Sequence, residues 1–297
     1  MVNEKGTGAK GLLLLTSGYL IWGLLPLYWR FLSHVSSIEI LLHRVLWSAM
    51  LCSLYMMIGK KNPFTFLKHT LTHHPMWLLL LSSLLLSINW LSYIYAVTTN
   101  QLLQASMGYF ISPLLIVFFG LIVFKEKMGS LQTIALVICA IAVMYAIVGV
   151  GEIPYLSIAI GLSFSLYTMC KKLIKLDGIQ SLLIDTTLLL PLVLVTMIYM
   201  AIKGTSSFTH LDISTDMLLI GGGLATFIPL SLYISGTLIT STKSVGFLQF
   251  ITPVMAFLLG LFVFHESFDS SDAIIFSFIF IGVILYLFSL KRKSRKR

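Results

Sequence analysis

Ten long apolar runs separated by short polar breaks organise the chain. They cover 11–31, 37–58, 76–97, 102–124, 131–148, 153–170, 182–202, 217–239, 245–264 and 273–290. Each is about the length an α-helix needs to cross the roughly 30 Å hydrocarbon core of a bilayer. The pattern therefore predicts an all-α membrane protein of ten transmembrane helices. Only Thr98, Thr99, Asn100 and Gln101 separate the third run from the fourth, which predicts a tight turn between antiparallel helices. The first run follows a basic stretch and has no small-residue cleavage site, so it reads as a retained span and not as a removed signal peptide.

The pattern repeats at a shift of 140 residues. Ile111-Ser112-Pro113 aligns with Ile251-Thr252-Pro253, Gly120 with Gly260, Phe124 with Phe264, Glu126 with Glu266, Ser130 with Ser270, and Tyr93 with Tyr233. A weaker match near 141 pairs Arg30 with Lys171, Glu39 with Gln180 and Arg44 with Asp185. Each half, 1–150 and 151–297, then holds five spans. Five is odd, so the second half must cross the membrane inverted. Inverted repeats typify secondary transporters, whose substrate binds between the halves near the midplane.

Charge orients this arrangement. Arg30 and Lys203 fall on one side and Arg44 within a span. The other 17 of the 20 Lys and Arg fall on the opposite side, six of them in the tail from Lys291. The positive-inside rule places that side, and both termini, in the cytoplasm. The Lys125–Lys127 loop is basic, whereas its repeat equivalent, 265–272, has neither Lys nor Arg, as inversion requires. The net charge of +9 then faces anionic lipid headgroups and not nucleic acid.

Composition narrows the function. Only 10% of residues are charged and 58% are apolar, against about 25% charged in a soluble domain. No soluble domain fits, which excludes an ATP-driven pump. No metalloprotease, phosphate-loop or prenyl-diphosphate motif is present, so no cofactor, metal or catalytic residue is expected. Cys52, Cys139 and Cys170 match no disulfide or zinc framework and read as small core residues.

Distributed motifs resemble a known family. They are Trp22-Gly23 with Pro26, Glu39-Ile40-Leu41-Leu42-His43-Arg44, Asn89-Trp90, Gly108-Tyr109-Phe110-Ile111-Ser112-Pro113, Pro229-Leu230 and Gly246-Phe247-Leu248-Gln249-Phe250-Ile251-Thr252-Pro253. Together they resemble the RarD group of EamA transporters in the drug/metabolite transporter superfamily, over nearly the whole chain. The resemblance implies a ten-helix exporter-like fold and no particular substrate. Gln104 departs from the group's pattern, which favours an acid there, and this puts a coupling role for the position in doubt.

Residues inside the spans are the candidates for a substrate pathway. Arg44 lies about 10 Å into the second span, where a charge is costly and faces a cavity or a partner. It reads either as an anion-attracting or carboxylate-binding group in the outer half of the pathway, or as an Arg tied to helix carbonyls or snorkelling outward. Glu39 and His43 share a helix face and read as a local ion pair, or as a proton-coupling pair. Asp185, towards the inside, should not meet Arg44; it either lines an inner vestibule or caps its helix. Asn89, Trp90, Tyr93, Tyr109, Tyr233 and Gln249 form a polar-aromatic set that either contacts substrate or laces helices together, and Trp22 either joins them or anchors the membrane interface. Pro113 and Pro253, as repeat equivalents, are hinge candidates or plain kinks. Glu126 and Glu266 read as turn residues, with Ser130 and Ser270 as helix caps.

The expected function is a secondary permease of the cell (inner) membrane, moving a small organic metabolite or drug-like compound by alternating access, with protons as a candidate coupling ion. The rival readings are a membrane-embedded sensor or assembly factor, and a lipid-processing enzyme. The enzyme would need paired carboxylates or a metal at one depth, and Glu39 and Asp185 are expected at opposite depths.

Overall fold

In lipid, a backbone N–H or C=O finds no water, so each apolar run bonds its own backbone as a helix. The computed structural model describes residues 4–124, 129–149, 153–237, 239 and 248–294. Its elements are α1 (Glu4–Arg30), α2 (Ser37–Ile58), α3 (Pro63–His73), α4 (Met76–Thr98), α5 (Leu102–Phe124) and α6 (Ser130–Met144). A π-helical turn (Tyr145–Gly149) follows, then α7 (Tyr155–Ile174), α8 (Gly178–Lys203), α9 (Ile213–Thr237), α10 (Ile251–Phe262) and α11 (Ser270–Ser294). Among the described residues no strand occurs. Five helices, α1, α2, α4, α8 and α9, are long and apolar enough to cross a membrane by length and composition. The protein is a multi-pass membrane protein.

The turn between α4 and α5 is as tight as the sequence predicts. Asn100 adopts φ 55°, a left-handed conformation Asn tolerates. Other boundaries shift, each for a local reason. The seventh run starts earlier than expected, at Gly178, because Asp177 accepts the Gln180 N–H at 2.9 Å. Asp185 therefore sits two turns inside α8 and caps nothing. The helix caps expected at Ser130 and Ser270 belong to their neighbours. Gln132 Oε1 accepts the Gly129 N–H, and Asp269 Oδ1 accepts from the N–H groups of Ser271 and Asp272. The sixth run continues past Cys170 to Ile174, which draws Lys171 inside the helix. Glu126 and residues 245–247 lie outside the described residues.

α3 has no counterpart among the ten apolar runs. Asn62 Oδ1 accepts from the N–H groups of Phe64 and Thr65, and Pro63 is pre-set for a first helical position. Phe66 and Leu67 pack against the cores around α2, α4 and α8 while Phe64 stays exposed.

The most extensive pairings between the earlier and later helices follow one rule. α1 packs on α9 and α10, α7 on α4 and α5, α2 on α8 and α9, α4 on α8, α5 on α10, and α6 on α11. Exchanging α1, α2, α4, α5 and α6 with α7, α8, α9, α10 and α11 maps these pairings onto themselves. Small residues permit the closest approaches. A Cβ on Gly108 of α5 would lie 2.7 Å from the Ser157 carbonyl of α7, so nothing larger than glycine fits there.

Candidate functional site

Arg44 is 5% exposed, two turns into α2. Its Nε donates to Thr226 Oγ1 of α9 at 2.8 Å, and that hydroxyl donates onward to the Gly222 carbonyl at 3.0 Å. The guanidinium carbon lies 4.1 Å from the Trp90 ring centroid and 5.3 Å from that of Trp29. Aromatic faces stabilise a desolvated cation by about 2 kcal/mol, less than water would supply. Arg44 Nη1 is buried and has no hydrogen-bond partner among the described residues. The same holds for Trp29 Nε1 and for Ser48 Oγ, one turn further along α2. Three groups with unused hydrogen-bonding capacity, on α1 and α2, are thus buried, one of them on the cation itself.

A polar lattice continues beside it. Tyr109 OH donates to Asn89 Oδ1 at 3.2 Å, and Asn89 Nδ2 donates to the Ile160 carbonyl of α7 at 3.1 Å. The Tyr93 and Tyr109 rings meet edge-on at 5.8 Å. Asn89 therefore joins α4, α5 and α7, and its amide is occupied by the protein itself.

Glu39 and His43 do not form the ion pair expected of them; among the described residues the one ion pair is elsewhere. Glu39 Oε1 instead accepts from Ser206 Oγ, Ser207 N and Phe208 N at 2.9, 2.7 and 3.1 Å. A chain turn with free N–H groups outcompetes a neutral imidazole for a carboxylate. His43 Nδ1 accepts from Trp47 Nε1 at 3.1 Å, and its ring packs on Phe208.

Asp185 is fully buried. Its carboxylate meets Lys171 Nζ at 2.8 Å and accepts from Ser82, Ser83 and Tyr167 hydroxyls at 2.9, 3.3 and 3.0 Å. Its partners lie on α4 and α7, those of Arg44 on α1, α4 and α9.

Trp22 and Tyr233 join in a third group, with ring centroids 5.5 Å apart and Tyr19 completing the cluster between α1 and α9. Gln249 lies in the turn before α10, half-buried. Pro113 lies within α5. Pro253 lies in the first turn of α10, where its missing N–H is no loss, and its carbonyl accepts from Ser106 Oγ at 3.0 Å.

The model of the EamA-like transporter family matches this chain twice, over residues 9–148 and 153–288. The chain belongs to the EamA-like transporter family. Within it the chain groups with RarD. It is 30% identical to protein RarD of Escherichia coli over 279 residues, 94% of each chain. It is 34% identical to an uncharacterized transporter of Vibrio cholerae over 287 residues, covering 96% of this chain and 94% of the relative. The uncharacterized transporter YojE of Bacillus subtilis is 35% identical over 289 residues, 96% of each. A crystal structure with 14% sequence identity superposes with a TM-score of 0.62 over 96% of this chain and 99% of that chain, and shows the same fold.

In this EamA-like transporter, several residues outside the expected set complete the sites: Trp29, Thr226, Ser82, Ser83, Tyr167 and Lys171. Tyr167 and Lys171 stand four apart on α7, a helical spacing that pointed to them. One end of the bundle is also tied shut. Arg30 Nη1 donates to the Val263 carbonyl at 3.0 Å and stacks on Phe264. His34 bonds Thr215 at 3.0 Å, and Tyr28 OH donates to the Leu218 carbonyl. Glu266 accepts the Leu102 and Leu103 N–H groups at 2.5 and 2.8 Å, capping α5 from the loop after α10. With Glu39 on the 206–208 turn, every one of these ties links the segment before residue 150 to the segment after it.

Proposed function

We propose that this protein is a secondary transporter that carries a small organic molecule bearing a carboxylate, or an equivalent acceptor group, by alternating access. In this reading ten spans form two inverted five-helix halves, 1–150 and 151–297, in the cell (inner) membrane, with both termini cytoplasmic. The charge asymmetry of the loops supports the orientation. The pairings that survive exchange of the two helix series support the inverted repeat.

One observation carries the reading: a buried arginine with an unpartnered Nη1, between two indole rings and beside two further unpartnered groups, Trp29 Nε1 and Ser48 Oγ. A buried donor left unsatisfied costs about 1–3 kcal/mol, and more when charged. A carboxylate reaching the guanidinium would satisfy Nη1 and neutralise the charge in a setting of low dielectric. The Arg30, His34, Glu39 and Glu266 ties then close the external end, and alternating access requires that they break as the internal end closes.

The test is flux into proteoliposomes with a panel of amino acids, organic acids and neutral amphiphiles, with and without a proton gradient. The reading expects saturable, protein-dependent flux of at least one anionic compound, lost more than tenfold in Arg44→Met. No flux of any compound, or equal flux in the variant, would count against it.

A further inference from the structure

Away from Arg44, a cavity of about 250 Å³ lies between α2, α8 and the 206–210 turn. Glu39, Leu42, His43, Met197, Met200 and Phe208 are among its lining residues. Glu39 is 2% exposed, and its two oxygens differ. Oε1 takes three donors, while Oε2 is buried with no partner among the described residues. His210 lines the same cavity and is exposed. Its Nδ1 lies 2.8 Å from the Phe208 carbonyl. A carbonyl only accepts, so Nδ1 carries the proton and the neutral ring offers Nε2 as a lone pair. The lining holds a carboxylate, a second acceptor at His210, a histidine donor at His43 Nε2, and no Lys or Arg.

We infer that this cavity is a binding site for a primary ammonium group on a short apolar chain, distinct from the carboxylate-seeking centre at Arg44. The ammonium has three N–H donors and one positive charge. Glu39 Oε2 supplies a charge-assisted acceptor, which in a buried setting is about twice as strong as a neutral one. His210 Nε2 offers a further acceptor at the exposed rim. Leu42, Phe208 and the two methionines cover the apolar tail. Met197 and Met200 are unbranched and adaptable, so they yield to admit the ligand as far as Oε2. Ile198 and Ala201 of the rim are exposed on α8, so an amphipathic amine dissolved in the lipid reaches the cavity sideways.

The experiment is calorimetric titration of the full chain in lipid nanodiscs with hexylamine, hexanol and hexanoate. Wild type should bind hexylamine at least tenfold more tightly than hexanol, with hexanoate weakest. Glu39→Gln keeps an oxygen for the 206–208 turn but turns the other oxygen into a donor, and it should abolish the preference for the amine. Met197→Trp fills the cavity from its lipid side and should block hexylamine without touching Glu39. Arg44→Met should bind hexylamine like wild type, which separates this site from the central one. The inference is overturned if wild type binds amine and alcohol equally or binds neither, if Glu39→Gln keeps the preference, or if Met197→Trp binds hexylamine unchanged.

Discussion

A charge inside a membrane protein is explained by its partners, and two buried charges here, Asp185 and Arg44, have opposite kinds. Asp185 meets a cation and three hydroxyls, so it is a satisfied structural acid. Arg44 has one side-chain acceptor and two aromatic faces, so it keeps hydrogen-bonding capacity to spare. The two should respond differently to substitution. Asp185→Asn leaves the Lys171 ammonium without its counter-charge and should destabilise by about 3 kcal/mol, with Lys171→Met/Asp185→Asn recovering much of that loss. A double-mutant cycle on thermal or denaturant unfolding measures it. Arg44→Met removes a poorly satisfied charge, so unfolding stability should be unchanged or raised even as flux is lost. The sequence made Arg44 and Asp185 visible because charges stand out in apolar runs. It hid Trp29 and Thr226, since an indole near a span end and a threonine in a helix look the same whether they serve a site or not. It also misdirected Glu39, because the turn that Glu39 binds comes from a distant part of the chain.

Among the elements, hydropathy located most of the helices because a bilayer imposes one backbone solution on every apolar run. It failed where ends are set by single side chains, as Asp177 and Asp269 set theirs, and it overlooked α3, too short and too mixed to read as a span. With Phe64 exposed and Lys60, Lys61 and Lys68 nearby, α3 fits the interface plane of the bilayer. A tryptophan introduced by Phe64→Trp should be quenched by brominated acyl chains. The Glu266 cap is an element-scale device with a pH signature. Burial raises its pKa above the ordinary 4.5, and the N–H bonds from Leu103 and Leu102 offset only part of this. The folded state therefore holds the proton more readily than the unfolded chain. The stability this group contributes is complete below about pH 4.5 and is lost as pH rises through the folded value. Thermal unfolding across that window should show this decline in wild type and lose it in Glu266→Gln.

For the whole molecule, the doubled pattern in the sequence returns as helix pairings that survive exchange of the two series. The ties between the series gather at one end, and no periodicity could have revealed them, because each joins a loop to a helix end more than 100 residues away. In the proposed transport cycle that end must open for substrate to cross. His34→Cys with Thr215→Cys spans one tie, and a short bis-methanethiosulfonate reagent, forming a reducible disulfide with each new thiol and releasing methanesulfinate, would hold it closed while the native cysteines stay buried. The decisive measurement is proteoliposome flux before cross-linking, after it, and after reduction. The account predicts a loss of at least tenfold on cross-linking and recovery on reduction; flux undiminished with the end locked would contradict it.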